Sequence, residues 1–127
     1  MTGGRHWTYW LIVAVAVITI LSGAGQVLMP ERALSFMGFA ASGDTVFLIR
    51  VLSLFVALFG GALLHAVLIA RFESTILLWV GLQKVASAAS MLLGVTSGLL
   101  ASVVLLVAGY DFAAGLYVLW FGSWGRR

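Results

Sequence analysis

The chain has 127 residues, of which 63% are hydrophobic and only 9% charged, and seven basic against four acidic side chains leave a net charge of +3. A water-soluble domain of this length buries only about 65% of its unfolded surface and covers the rest largely with polar groups, so this composition excludes a soluble globular protein. It points to one membrane-embedded domain over residues 1–127, since no polar interval is long enough for a second, soluble one.

A transmembrane helix needs about 20 apolar residues at 1.5 Å rise to cross about 30 Å of hydrocarbon. The first such span runs from Tyr9 to Met29, with Trp7, Tyr9 and Trp10 as an aromatic collar and Pro30 as its stop. Arg5 and the small residues Ser22-Gly23-Ala24 give it the look of a signal peptide, but the apolar run exceeds a signal h-region and is read as a retained span. Residues 30–39, opening with Pro30-Glu31-Arg32 and carrying Leu34, Phe36, Met37 and Phe39, are predicted to form a short interfacial helix.

The second span covers Thr45 to Ala70 and ends in the polar turn Arg71-Phe72-Glu73-Ser74. The third covers Thr75 to Leu93, with Ser74 as N-cap and Gly94-Val95-Thr96-Ser97-Gly98 as terminator. The fourth covers Leu99 to Phe121 and closes with Trp120, Trp124, Arg126 and Arg127. The expected fold is all-α: an integral membrane four-helix up-down bundle with a short interfacial helix between helices 1 and 2. Arg5, Arg71, Arg126 and Arg127 fall on one side and Arg32 and Arg50 on the other, which places both termini in the cytoplasm.

Ionisable residues at membrane depth are the candidate functional groups, because the bilayer penalises them. Lys84 lies ten residues beyond Ser74, and Asp111 lies ten residues before Phe121, so each sits roughly 15 Å from the same end. An unpaired charge at the bilayer centre costs about 2.5–3.5 kcal/mol on insertion scales, so the two are predicted to form an intramembrane ion pair. Such a pair either fixes helix register or lines a polar cavity, and both readings stay open. His65 and Gln83 are candidates to extend the layer. Gln26, Glu31 and Arg50 are predicted to gather into a polar cluster at the outer end. Arg50, Ser53, Ala57 and Gly61 fall on one stripe that His65 extends. Small residues at Ala57 and Gly61, Gly81 on the third span, and Ala108 and Gly115 on the fourth suit close helix contacts.

Absence of Cys removes disulfides, thiolate catalysis and Fe–S ligation, and no nucleotide-binding, zinc-protease or serine-hydrolase motif occurs. No catalytic or metal site is assigned, and the basic residues at helix ends suit anionic lipid headgroups rather than nucleic acid. Pro30 after the first helix, Gly38 in the connection, Arg50 early in helix two, Gly60-Gly61, Lys84 and Asp111 together resemble the small four-helix bacterial membrane proteins of the DoxX-like and related families. That resemblance implies a four-helix bundle and, from relatives associated with redox enzymes, an accessory role.

The leading functional expectation is therefore an accessory or scaffolding subunit of a larger membrane complex or homo-oligomer, packed against partner helices and bound lipids or pigments. The alternative is a small transporter or a lipid- or small-molecule-binding protein using Lys84, Asp111 and His65. A membrane isomerase or lipid-modifying enzyme using Asp111 or His65 is a third reading. No intrinsic cofactor is expected, while membrane lipid, quinone or pigment is a candidate bound group.

Overall fold

The computed structural model describes the backbone of residues 3–68 and 74–125 and the side chains of residues 7–68 and 74–123. The described residues form α1 (Gly3–Leu28), α2 (Pro30–Met37), α3 (Gly43–Leu68), α4 (Ser74–Thr96) and α5 (Val104–Trp120), followed by a π-helical turn at Phe121–Gly125. Trp7–Leu28, Gly43–Leu68, Ser74–Thr96 and Val104–Ser123 are long and apolar enough to cross a membrane. The protein is an all-α, integral membrane helical bundle. The side chains of Arg5, Arg71, Arg126 and Arg127, on which the topology reading leans, lie outside the described residues.

Local chemistry sets the boundaries. Met29 departs from helical geometry at φ −130° and ψ 64°, and Pro30, which has no N–H to lose, restarts the chain as α2. Gly38 at φ +95° ends α2, and its neighbour Phe39 returns an N–H to Leu34 O at 2.9 Å. Ser42 and Thr45 cap α3 reciprocally: Thr45 N–H donates to Ser42 Oγ at 3.2 Å, and Ser42 N–H donates to Thr45 Oγ1 at 2.8 Å. The third span runs on to Thr96 rather than stopping at Leu93, and α5 starts at Val104 rather than Leu99. Gly98 at φ +82° turns the chain, and the N–H groups of Leu99 and Leu100 both bond Gly94 O, at 2.9 and 3.0 Å, closing the C-terminal end of α4.

The four long helices pack as two pairs, α1 against α3 and α4 against α5. Inside a bilayer the tails outside are as apolar as the residues inside, so helix contacts rely on close backbone approach. A Cβ on Gly23 would stand 2.5 Å from Ala57 N and 2.6 Å from Ser53 O, and one on Gly60 would stand 2.7 Å from Ile20 N. In the second pair a Cβ on Gly81 would stand 3.1 Å from Gly115 O, and one on Gly115 would stand 3.0 Å from Gly81 O. Ala108 is buried 7% exposed on the same side of α5.

Gly61 departs from the expected packing role, since a Cβ there meets nothing within 4 Å. The seam of α3 instead follows its buried residues Ile49, Ser53, Gly60, Leu63 and Val67. Successive spacings of four, seven, three and four along that seam fit the 3.5-residue period of left-handed packing. Uniform steps of four from Ala57 advance about 40° per step and carry Gly61 and His65 off the seam.

The two pairs meet mainly near the end of the bundle that holds the start of α1 and the close of α5. There Ile12, Ala16, Leu63, Leu77, Val80 and Val118 are buried in one cluster with Phe121. Tyr117 ties the pairs across it, its hydroxyl donating to Thr8 O at 2.6 Å. At the opposite end α2 bridges them, with Ala101 N–H donating to Met37 O at 2.8 Å.

These contacts predict that Gly23→Val or Gly60→Val destabilises the bundle by about 1–3 kcal/mol, the usual cost of overpacking. Gly61→Val leaves it within about 0.5 kcal/mol, as for a substitution away from close contacts. Thermal unfolding of the purified variants in one detergent separates the two classes.

Candidate functional site

Between the zipped end and the α2 bridge, the pairs stand apart around a cavity of about 750 Å³. Residues from α4 and α5 make its floor: Gln83, Lys84, Ser87, Tyr110 and Asp111. Its near wall is the α1 surface bearing Ile18, Thr19, Ser22 and Gln26, and Arg32, Ala33, Phe36 and Met37 of α2 form the roof. Leu21 on α1 and Leu106 on α5 line the cavity and are 65% and 75% exposed, so the cavity reaches the lateral surface that hydrocarbon would surround.

The floor is polar because α4 and α5 approach closely at Gly81 and Gly115, one turn from the charged residues. That approach brings Lys84 Nζ to 3.9 Å from Asp111 Oδ1, with the two side chains 5% and 18% exposed. The separation gives charge neutralisation but exceeds hydrogen-bond length. Ser87 Oγ donates to the other carboxylate oxygen of Asp111 at 3.4 Å. The Lys84 ammonium also lies 5.9 Å from the centre of the Tyr110 ring, close enough for a cation–π attraction. Neither contact occupies its N–H donors, so a buried ammonium presents unspent hydrogen-bonding capacity to the cavity.

The remaining expected site residues divide. Gln83 lines the cavity beside Lys84. His65 does not: it is exposed in the last turn of α3, off the seam for the rotational reason above, and takes no part in the Lys84–Asp111 layer. The expected cluster of Gln26, Glu31 and Arg50 also does not assemble. Gln26 Oε1 instead accepts a hydrogen bond of 2.6 Å from Ser53 Oγ, linking α1 to α3. Arg50 Nε donates to Val27 O at 3.2 Å, where the last turn of α1 offers an unpaired carbonyl at the negative end of its dipole. Glu31 is exposed, and the Lys84–Asp111 contact is the ion pair found among the described residues.

Sequence reasoning overlooked Tyr110 and Arg32. Tyr110 immediately precedes Asp111, and an aromatic hydroxyl at the depth of two charges was the available signal. Arg32 reads as an interfacial charge until the fold of α2 turns that helix over the cavity. Comparison with protein-family models, curated proteins and solved structures finds no match.

The pair is open to a double-mutant cycle. Asp111→Asn strands a buried ammonium, and Lys84→Met strands a buried carboxylate. Each is expected to lower stability by about 2–3 kcal/mol, the scale of an isolated charge at membrane depth. The double variant Lys84→Met/Asp111→Asn recovers most of that loss. Folded yield and unfolding midpoint in detergent check the cycle, and additive losses would count against the coupling.

Proposed function

We propose that this integral membrane protein binds a lipophilic small molecule, drawn sideways from the bilayer into the cavity between its helix pairs. The observation that carries the reading is the join of a polar floor at Lys84 and Asp111 to apolar walls that include the highly exposed Leu21 and Leu106. A volume of about 750 Å³ falls within the usual range of roughly 300–1,000 Å³ for small-molecule sites. Few convergent polar groups in a mainly apolar surround are the common make-up of such sites, where the polar groups orient the ligand and the walls contribute affinity. The protein acts in this reading as a binding or carrier protein rather than an enzyme, in a bacterial inner membrane with its termini in the cytoplasm.

A scaffolding role in a larger complex is the second reading. It is favoured by the outer strip of α3, where Gly61 has open space beside it and His65 is exposed, leaving room for another helix. The DoxX-like resemblance supports the four-helix frame under either reading.

Photolabelling with a diazirine-bearing alkyl lipid in native membranes tests the proposal. Binding predicts adducts on Thr19, Ser87 and Val104, cavity residues withdrawn from the outer surface of the bundle. Val107→Trp, which fills cavity space, reduces them about fivefold or more without loss of folded protein, in keeping with a blocked pocket rather than a lost fold. Adducts confined to the lipid-facing belt, with a stoichiometric partner chain in the purified material, would favour the scaffolding reading instead.

A further inference from the structure

We propose that the occupant of the cavity binds polar end first and that this end is an uncharged oxygen function, a hydroxyl or carbonyl, rather than a phosphate or carboxylate. The inference rests on the reading of the cavity as a lipophile site and assigns the chemistry and orientation of what enters it.

Lys84 supplies the first argument. Its side chain is 5% exposed, its Nζ has an ionic neighbour at 3.9 Å but no hydrogen bond, and it borders the cavity. An ammonium that faces the cavity with donors no protein acceptor takes up favours a ligand that brings an acceptor oxygen. Asp111 supplies the second. Its Oδ2 already accepts from Ser87, while Oδ1, the oxygen nearer Lys84, is free to accept from a ligand hydroxyl. One hydroxyl can accept from Lys84 and donate to Asp111, and a carbonyl satisfies the ammonium alone.

Charge decides against an anionic head. The ammonium and carboxylate cancel, so the floor has no net charge to hold an anion. An anion bonded to Lys84 would also lie close to Asp111, where repulsion is screened less than in water. The rival place for an anion is Arg32 in the roof, which is exposed. A lipid anchored there would extend its tail onto the floor and leave the ammonium facing hydrocarbon, the arrangement that membranes penalise. With the head on the floor, the tail instead runs among Ile18, Met91, Val104 and Val107, where the unbranched methionine adapts to an irregular chain.

Geranylgeraniol and geranylgeranyl phosphate, which share a tail and differ in head charge, form a matched pair of probes. Both are competed against a diazirine-tagged alkyl alcohol for the full chain in phosphatidylcholine nanodiscs. The alcohol is expected to displace the label at a concentration about tenfold lower than the phosphate, the ratio for one well-made charged hydrogen bond. Lys84→Met/Asp111→Asn, which removes both charges together and so keeps a foldable bundle, is expected to weaken the alcohol by a similar factor, while His65→Gln, outside the cavity, leaves it unchanged. Stronger competition by the phosphate, abolished by Arg32→Gln, overturns the assignment of the head while leaving the cavity a lipophile site. Unchanged alcohol binding by the double variant overturns the contact with the floor. Cavity labelling that neither probe displaces overturns the head chemistry, and labelling absent from the cavity overturns the underlying reading as well.

Discussion

Everything in this bundle depends on how closely backbones approach within each helix pair. Lipid tails match Leu and Val in polarity, so hydrophobic burial gives little reason for one transmembrane helix to prefer another over lipid. Dispersion contacts fall off steeply with separation, and glycine at a crossing lets many atoms reach contact distance at once. Gly23 and Gly60 do this between α1 and α3, and Gly81 and Gly115 do it between α4 and α5. The last crossing is also what sets Lys84 beside Asp111, so the same packing that holds the second pair builds the polar floor.

The contrast between the ends of the bundle follows. Bulky residues such as Leu63, Leu77 and Val118 fill the gap between pairs at one end. Toward α2 the small α1 residues Thr19, Ser22 and Gly25 lie among the larger Ile18 and Gln26 along the wall, and a cavity remains between the pairs. Small residues close the distance within a pair, whereas between the pairs the gap stays open. The polar groups of the floor tolerate this depth because they neutralise and solvate each other, with Ser87 and Tyr110 adding partners for Asp111 and Lys84.

Much of the frame was legible from residues alone, since hydropathy over about 20 residues is a strong and local signal. The Lys84–Asp111 approach was also legible, because rise per residue converts sequence position to depth and charge leaves few alternatives at that depth. Rotation about the helix axis was less accessible. Gly60 and Gly61 differ by 100° around α3, and only the partner helix selects between them. His65 was misplaced for the same reason. Gln26 was matched to Arg50 by depth, yet Ser53 lies closer to it on the seam. The cavity itself left no mark in composition, being set by which side chains fail to meet.

Pairing by sequence neighbourhood also orders the assembly of the molecule in time. The contacts of α1 lie chiefly on α3, with α2 between them, and those of α4 lie chiefly on α5. The first hairpin is complete by Leu68, before a ribosome has made any of α4. Segments made first are free to fold first, so the N-terminal pair can form its contacts before its C-terminal counterpart exists. The cavity belongs to neither pair alone and comes into being only where the two meet.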